Sequence, residues 1–420
     1  MTPEQKGFVL LSVLKMIVVF TVLMVVVALL TLAERKVSAW MQNRMGPNRT
    51  GPGGLLQPAA DGVKNFLKEE TLPALASTPI FILAPALAFI PAMMLSCVIP
   101  FAAPLPVDFA WNVPLIGRVT YSGALPMAVT DLPIGFLFVL AISSMGVYGI
   151  ALAGWSSNSK YALLGGLRAS AQMISYEVAM GLSLIPVLLM TGNVRLSEIV
   201  RTQQEGLPLV LPLFLSFFVY LISGFAETNR LPFDMPEAES ELVAGYHAEY
   251  SAMKFSMFFI AEYANVVTIC MMVATLFFGG WDIPFTTWDE QGGWLQTLAT
   301  FLVFALKTGF WIFFVMWIRW TLPRFRYDQL MSLGWKFLMP LALVYIVLVA
   351  GTIWGAERLL PEGTAVQRAS VLVVLNLVLG GIVFFGLDRG AVLGRPRRRA
   401  VSIPVPEAPR PSVRPFSAGA

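Results

Sequence analysis

A chain of 420 residues that is 57% hydrophobic and 13% charged, with a mean hydropathy of +0.72, is far from soluble composition, where about a quarter of residues carry charge. One histidine and two cysteines, Cys97 and Cys270, exclude four-cysteine iron–sulfur sites, zinc sites and c-type haem attachment, which all need more ligands. The net charge of +4 is no nucleic-acid footprint, because the basic residues flank apolar runs; the chain reads as an all-α integral membrane protein.

A membrane-spanning helix needs roughly 20 apolar residues. Nine runs qualify, at about 8–33, 79–101, 132–154, 169–191, 207–227, 254–280, 297–320, 337–356 and 369–387. Together they make a polytopic domain over 1–388. The first run is too long for a cleavable signal and lacks a small-residue cleavage site. Both cysteines lie in apolar runs and read as small core residues.

The first loop, 34–78, carries Arg35, Lys36, Arg44, Arg49, Lys64 and Lys68. Within it, LLQPAADGVKNFLKEE (55–70) is amphipathic. Leu56, Ala59, Val63, Phe66 and Leu67 share one helical face; Asp61, Lys64, Asn65 and Lys68 share the other. This predicts a helix at the membrane surface or over a cavity, and Pro58 suits its first turn. Two readings stand: a loop helix packed on its own protein, or one wall of a site for an amphiphile. The preceding GPNRTGPGG (46–54) is not a phosphate loop, since it lacks both the Gly-Lys-Ser/Thr ending and a strand before it. Loop 102–131 reads as apolar and featureless.

Ionisable residues inside apolar runs are costly and mark charge or proton pathways. Glu177, Glu262 and Lys307 lie several residues inside their runs. Asp131 opens the third run and Glu227 closes the fifth, where helix ends tolerate charge. The structural alternative is an ion pair of Lys307 with Glu177 or Glu262, locking two helices.

Residues 226–250, AETNRLPFDMPEAESELVAGYHAEY, form the densest acidic block, with Glu227, Glu237, Glu239, Glu241 and Glu249. Asp234, Pro236 and Glu237 fit a capped helix start. Glu239 and Glu241 read either as a solvated loop face or as proton-exchanging groups. Glu237 and Glu241 are four apart and share a helical face, so their repulsion favours binding a proton. His247 is the only side chain here with an unperturbed pKa near neutrality; it reads as a polar contact or a relay. The segment 320–336 is compact, basic and aromatic. Arg324, Arg326, Tyr327 and Asp328 suit docking to a partner protein, or ordinary basic topology. The tail 389–420, rich in Pro, Arg and Ser, has little to pack and reads as disordered.

Orientation follows from Lys and Arg in the loops. The odd-numbered loops and the tail are basic and the even-numbered loops are poor in base. The expected arrangement is a cytoplasmic acidic loop (228–253), a cytoplasmic C-terminus and an outside N-terminus.

Four motifs, in order, carry a resemblance: LAERKVSAWMQNRMGPNRTGPGGLLQPAADGVKNFLKEE, GWSSNSKYALLGGLRASAQMISYEV, AETNRLPFDMPEAESELVAGYHAEYS and LPRFRYDQLM. They resemble the H subunit of the proton-pumping NADH–quinone oxidoreductase, respiratory complex I, whose mitochondrial counterpart is NADH dehydrogenase subunit one. The likeness runs through 8–350. It implies a bacterial inner-membrane subunit at the heel of the membrane arm that builds much of a quinone chamber and couples quinone reduction to proton translocation. It implies that Arg35, Lys36, Asp61 and Phe66 are quinone-chamber residues. It implies that Glu177, Glu227, Glu237, Glu239, Glu241, Glu249 and Glu262 are proton-linked. No metal or redox cofactor is expected on this chain; FMN and iron–sulfur clusters belong to partner subunits, with quinone as substrate. The expected partners are hydrophilic quinone-site and iron–sulfur subunits, small membrane subunits and lipid. Ser144 departs from the pattern, standing where some relatives carry an acid. The ninth run and the tail lie outside the shared part. The rival readings are a homologous anchor subunit of a membrane-bound hydrogenase, and an ion-coupled transporter; the latter lacks the expected repeat of the acidic block.

Overall fold

The computed structural model describes residues 2–113, 117–236, 238, 243–284, 286–359 and 365–388. Glu237, Glu239, Glu241 and the tail 389–420 lie outside the described residues, so of the helix start expected at 234–237 only Asp234, Met235 and Pro236 are described. Helix α1 (Pro3–Met41) opens on a capping box, in which Thr2 Oγ1 accepts the Gln5 amide at 3.3 Å and the Gln5 side chain accepts the Thr2 amide at 3.0 Å. There follow α2 (Gln57–Leu67), α3 (Thr78–Leu95), strands β1 (Ala102–Val113) and β2 (Gly117–Met127), α4 (Gly135–Ser156) and α5 (Lys160–Thr191). Next come α6 (Leu196–Gln204), α7 (Phe214–Glu227), α8 (Ala252–Phe277), α9 (Trp294–Thr321) and α10 (Tyr327–Leu333). A π turn at Gly334–Leu338 joins α10 to α11 (Met339–Leu359), and α12 is Ala365–Asp388.

Seven helices among the described residues are long and apolar enough to cross a membrane: α1, α3, α4, α5, α8, α9 and the continuous α10–α11 rod. The fifth and ninth expected runs coincide with shorter apolar helices, Phe214–Glu227 and Ala369–Val383. The fifth is short because Pro208 and Pro212 cannot donate to a helix ladder. Side chains from elsewhere serve the interrupted backbone. Gln203 Oε1 accepts the Leu209 amide, Asn376 Oδ1 accepts the Leu215 amide, and Asn376 Nδ2 donates to the Pro212 carbonyl. Tyr345 also donates to Asn376, at 2.8 Å, so one buried amide ties α12 to α7 and α11.

Loop 102–131 is not featureless. It is an antiparallel hairpin, clasped by Thr300, whose hydroxyl accepts the Ala103 amide at 3.1 Å. Lys15 of α1 donates to the carbonyls of Pro126 and Ala128. Its extended backbone satisfies its polar groups across the pair, so no apolar periodicity was needed to specify it.

Contacts between loops sort them into two faces. On one lie the start of α1, the hairpin, α6 and the segment 278–293. Asp131 meets Arg195 and Ser197 there, and Gln203 accepts the Gly279 amide. On the other lie α2, the acidic loop and segment 322–338. Thr71 bonds Ser251, Lys254 pairs with Glu70 at 2.8 Å, and the Phe325 amide donates to the Pro232 carbonyl. This is the partition that the loop charges predict.

Helix α8 is the most enclosed of these spans, with 61% of its apolar window buried against 22% for α1. The acidic loop returns to the bundle at Gly245, which lies against Gly165 of α5. A Cβ at Gly165 would sit 2.5 Å from Gly245 Cα and 2.8 Å from its carbonyl carbon. Backbone cannot swing aside as a side chain can. Gly165→Ala is therefore expected to lose about 1–3 kcal/mol and to lower the fraction of assembled protein surviving mild heating; wild-type survival would refute this close approach.

Candidate functional site

Four segments converge on a buried charge cluster. Glu34 from α1 and Arg230 from the acidic loop are only 4% and 5% exposed. Arg230 Nε donates to Glu262 of α8 at 2.7 Å, and its Nη1 donates to Glu34 at 3.0 Å. Tyr263 donates its hydroxyl to Glu34 at 2.6 Å, Arg319 of α9 pairs with the same carboxylate, and the Arg230 guanidinium lies 4.0 Å from the Tyr263 ring centroid. Two cations thus balance two anions. That balance matters because removing one partner of a buried pair leaves an uncompensated charge.

Arg230, Glu262, Tyr263 and Arg319 of the cluster line a cavity of about 740 Å³. The same cavity is lined by aromatic rings, those of Tyr246, Phe255, Phe258 and Phe259, the last packed 4.8 Å from the Tyr263 ring of the cluster. Arg324 also lines it, holding Asp234 at 3.0 Å. His247 lines it between Tyr246 and Phe255, with ring centroids 5.0 and 5.4 Å away. Burial pushes its imidazole down to about 4, so at neutral pH it is an uncharged ring.

A second, small cavity of about 30 Å³ lies beyond, lined by both Glu262 and Glu227 with Thr228, Asn229 and Asn265. Glu227 is 8% exposed, and its Oε2 has no hydrogen-bond partner. Ser144 donates its hydroxyl to Glu177, and Glu177 acts electrostatically on Glu227. Ser144 thus touches Glu177 at the position where some relatives are expected to carry an acid. Gln172, fully buried, fixes the turn that presents these groups: its amide faces the carbonyls of Ala226 and Phe233 and the side chain of Asn229.

The structure brings Glu262, Glu227 and Glu177 into one succession. Glu249 lines neither cavity; its carbonyl accepts from Thr71. Lys307 pairs with neither Glu177 nor Glu262. Its ammonium is taken by the carbonyls of Phe278, Gly280 and Asp282, because α8 ends nearby and leaves acceptors unfilled. Arg35 pairs with Asp61 at 2.7 Å, and none of Arg35, Lys36, Asp61 and Phe66 is among the residues lining the larger cavity. Lys36 donates to the Gly53 carbonyl. Phe66 is 74% exposed and α2 buries no residue, so its apolar face finds no cover within the described chain. Arg324 and Tyr327 are engaged internally, the latter bonding the Arg168 carbonyl. Arg326 and Asp328 stay exposed, 3.8 Å apart.

Sequence reasoning passed over Glu34, Tyr263 and Arg319. Glu34 sits beside Arg35 and Lys36, and Arg319 at a helix end, where it reads as a loop base. Glu34 is an acid closing a long apolar helix, and that was the available signal.

Known proteins of similar sequence bear on this arrangement. The family model described as NADH dehydrogenase matches residues 14–350. An NADH-quinone oxidoreductase H subunit of Koribacter versatilis, the one numbered 2, is 50% identical over 347 residues, covering 82% of this chain and 97% of the relative. NADH-ubiquinone oxidoreductase chain 1 of Chondrus crispus is 49% identical over 348 residues, with coverage of 82% and 97%. An NADH-quinone oxidoreductase H subunit of Geobacter metallireducens, the one numbered 1, is 50% identical over 339 residues, with coverage of 81% and 95%. The chain therefore belongs to the H-subunit family of NADH–quinone oxidoreductase, a membrane subunit of a multi-subunit oxidoreductase and not an enzyme by itself.

Proposed function

We propose that the larger cavity is a quinone chamber and that Glu262, Glu227 and Glu177 carry its change of charge into the bilayer as proton movement. The observation that carries this reading is one cavity lined both by aromatic rings and by arginine and glutamate side chains, with a second cavity lined by both Glu262 and Glu227. Its volume lies within the range of ligand sites, about 300–1,000 Å³. A quinone ring stacks on aromatic faces, and its two carbonyl oxygens accept hydrogen bonds from arginine N–H and tyrosine O–H groups. The chamber opens laterally beside α2, whose uncovered apolar face, with Phe66, meets the tail of the incoming molecule, while Arg35, Lys36 and Asp61 form its polar edge.

Reduction of a quinone consumes two electrons and two protons. The electrons come from centres in partner subunits, the flavin and iron–sulfur clusters of the assembled complex. As negative charge builds on the quinone oxygens, Arg230 and Arg319 are drawn toward it and away from Glu262 and Glu34. A carboxylate losing its counter-charge gains affinity for a proton. The proton balance of Glu262, Glu227 and Glu177 then shifts as a coupled set rather than residue by residue. Glu237, Glu239, Glu241 and Glu249 belong to the same proton-linked set in this reading. Arg326 and Asp328 are offered for docking to the hydrophilic subunits. The subunit lies in the bacterial inner membrane, with the cavity and acidic loop on the cytoplasmic face and the N-terminus outside.

The test is Glu227→Gln in the assembled enzyme. Quinone reduction coupled to proton uptake is expected to fall at least roughly tenfold, about 1.4 kcal/mol on the limiting barrier, with assembly intact. Normal rates of both reduction and pumping would remove Glu227 from the pathway.

A further inference from the structure

Three further ionisable groups, Lys307, Asp282 and Asp289, lie on the face away from the cavity. Lys307 donates to the carbonyls of Phe278 at 2.7 Å, Gly280 at 3.0 Å and Asp282 at 2.7 Å. These three bonds use all three of its donors, leaving none for a carboxylate. Two carboxyls nevertheless sit close to it. Asp282 is 9% exposed and Asp289 is 2% exposed. Asp289 Oδ2 accepts from Gln204 of α6 at 3.3 Å and from the Ile283 amide at 3.4 Å. Its other oxygen, Oδ1, is enclosed and receives no hydrogen bond from any N–H or O–H group. Asp282 precedes Ile283, whose amide meets Asp289, and the two carboxyls act on each other.

Two neighbouring carboxylates repel, and an enclosed acceptor without a donor is costly. One proton between the two resolves both problems, turning the repulsion into a hydrogen bond and supplying the missing donor. We infer that Asp282 and Asp289 form a proton-binding site on the face opposite the charge cluster, taking up one proton from the aqueous phase on that side. Charge supports it: the singly protonated pair carries −1 against the +1 of Lys307, whereas the bare pair carries −2. Among the groups described, the others that face the pair are neutral, namely Gln203 and Gln204 from α6 and the backbone of 279–283. Arg201 and Glu198 of α6 are paired with each other at 3.2 Å. Burial, and then the charge of Asp289, push the Asp282 carboxyl up to about 6, against about 3.9 for a free aspartate. The site fills as that aqueous phase becomes mildly acidic. It is independent of the quinone reading, since none of its residues lines the cavities.

The test is an infrared pH titration of the assembled complex carrying aspartate labelled with ¹³C at the side-chain carboxyl, taken from about pH 8 to about pH 5, a window above the free-aspartate range. One labelled carboxylic-acid band is expected to appear with a midpoint near 6. It should be missing from both Asp282→Asn and Asp289→Asn, which keep the −1 charge and a hydrogen bond across the pair. A band that persists in both variants overturns the site. So does a wild-type titration without such a band, which needs no variant to assemble.

Discussion

Arg230→Leu is expected to abolish quinone reductase activity and to deplete the assembled complex. Arg230 is 5% exposed and bonds two carboxylates from two different helices. Removing it strands Glu262 without a cation and leaves Glu34 only Arg319. Breaking a buried pair costs about 3–5 kcal/mol, a large share of the roughly 5–15 kcal/mol that holds a typical fold. Lysine is no substitute, because one ammonium cannot reproduce the two-armed reach of Nε and Nη1. The diagnostic partner is the double variant Arg230→Leu/Glu262→Gln. It removes one charge of each sign and keeps the Glu34–Arg319 pair. Assembly, read on native gels, should recover while coupled activity stays lost. Failure of the double variant to assemble better than the single one would mean that Arg230 acts by packing and not by charge.

Gln172→Leu is expected to disable the same region without touching a titratable group. The Gln172 amide faces the Ala226 carbonyl at 2.8 Å, the Phe233 carbonyl at 2.9 Å and Asn229 Oδ1 at 3.1 Å. An NH₂ group has two hydrogens, so leucine leaves about two buried acceptors without donors, at about 1–3 kcal/mol each. The turn that carries Glu227 and Arg230 should loosen. Amide hydrogen exchange over 226–233 is expected to accelerate at least tenfold, and coupled quinone reduction to drop with it. Unchanged exchange in that segment would show that the turn is held by other bonds.

These two residues show what a linear reading reaches. Arg230 was visible as a loop base and Glu262 as an acid in an apolar run; that they are partners was not, because 32 positions separate them. Glu34 was passed over and Arg319, 285 positions away, read as a loop base. Lys307 shows the opposite error. An intramembrane lysine invites an acidic partner, yet carbonyls at the end of α8 satisfy it, and helix ends do not announce in sequence which side chain will cap them. The hairpin at 102–127 escaped because its pairing is between backbone groups, which carry no residue code. Helix α2 was fully legible: alternation of face at 3.6 residues per turn and Pro58 at its start needed no tertiary partner.

Composition, period and the placement of Lys and Arg were enough for the membrane class, the apolar runs, the grouping of the loops and the amphipathic helix; four motifs carried the family likeness. Each is a local property, because the solvent around a segment, water or hydrocarbon, selects its residue types. Folding in three dimensions settled which buried charges neutralise one another, that Glu262 and Glu227 share a cavity, and that Asp289 lacks a donor. Those depend on distances of a few ångströms between segments far apart in the chain, and electrostatic energy in a low-dielectric interior is set by those distances.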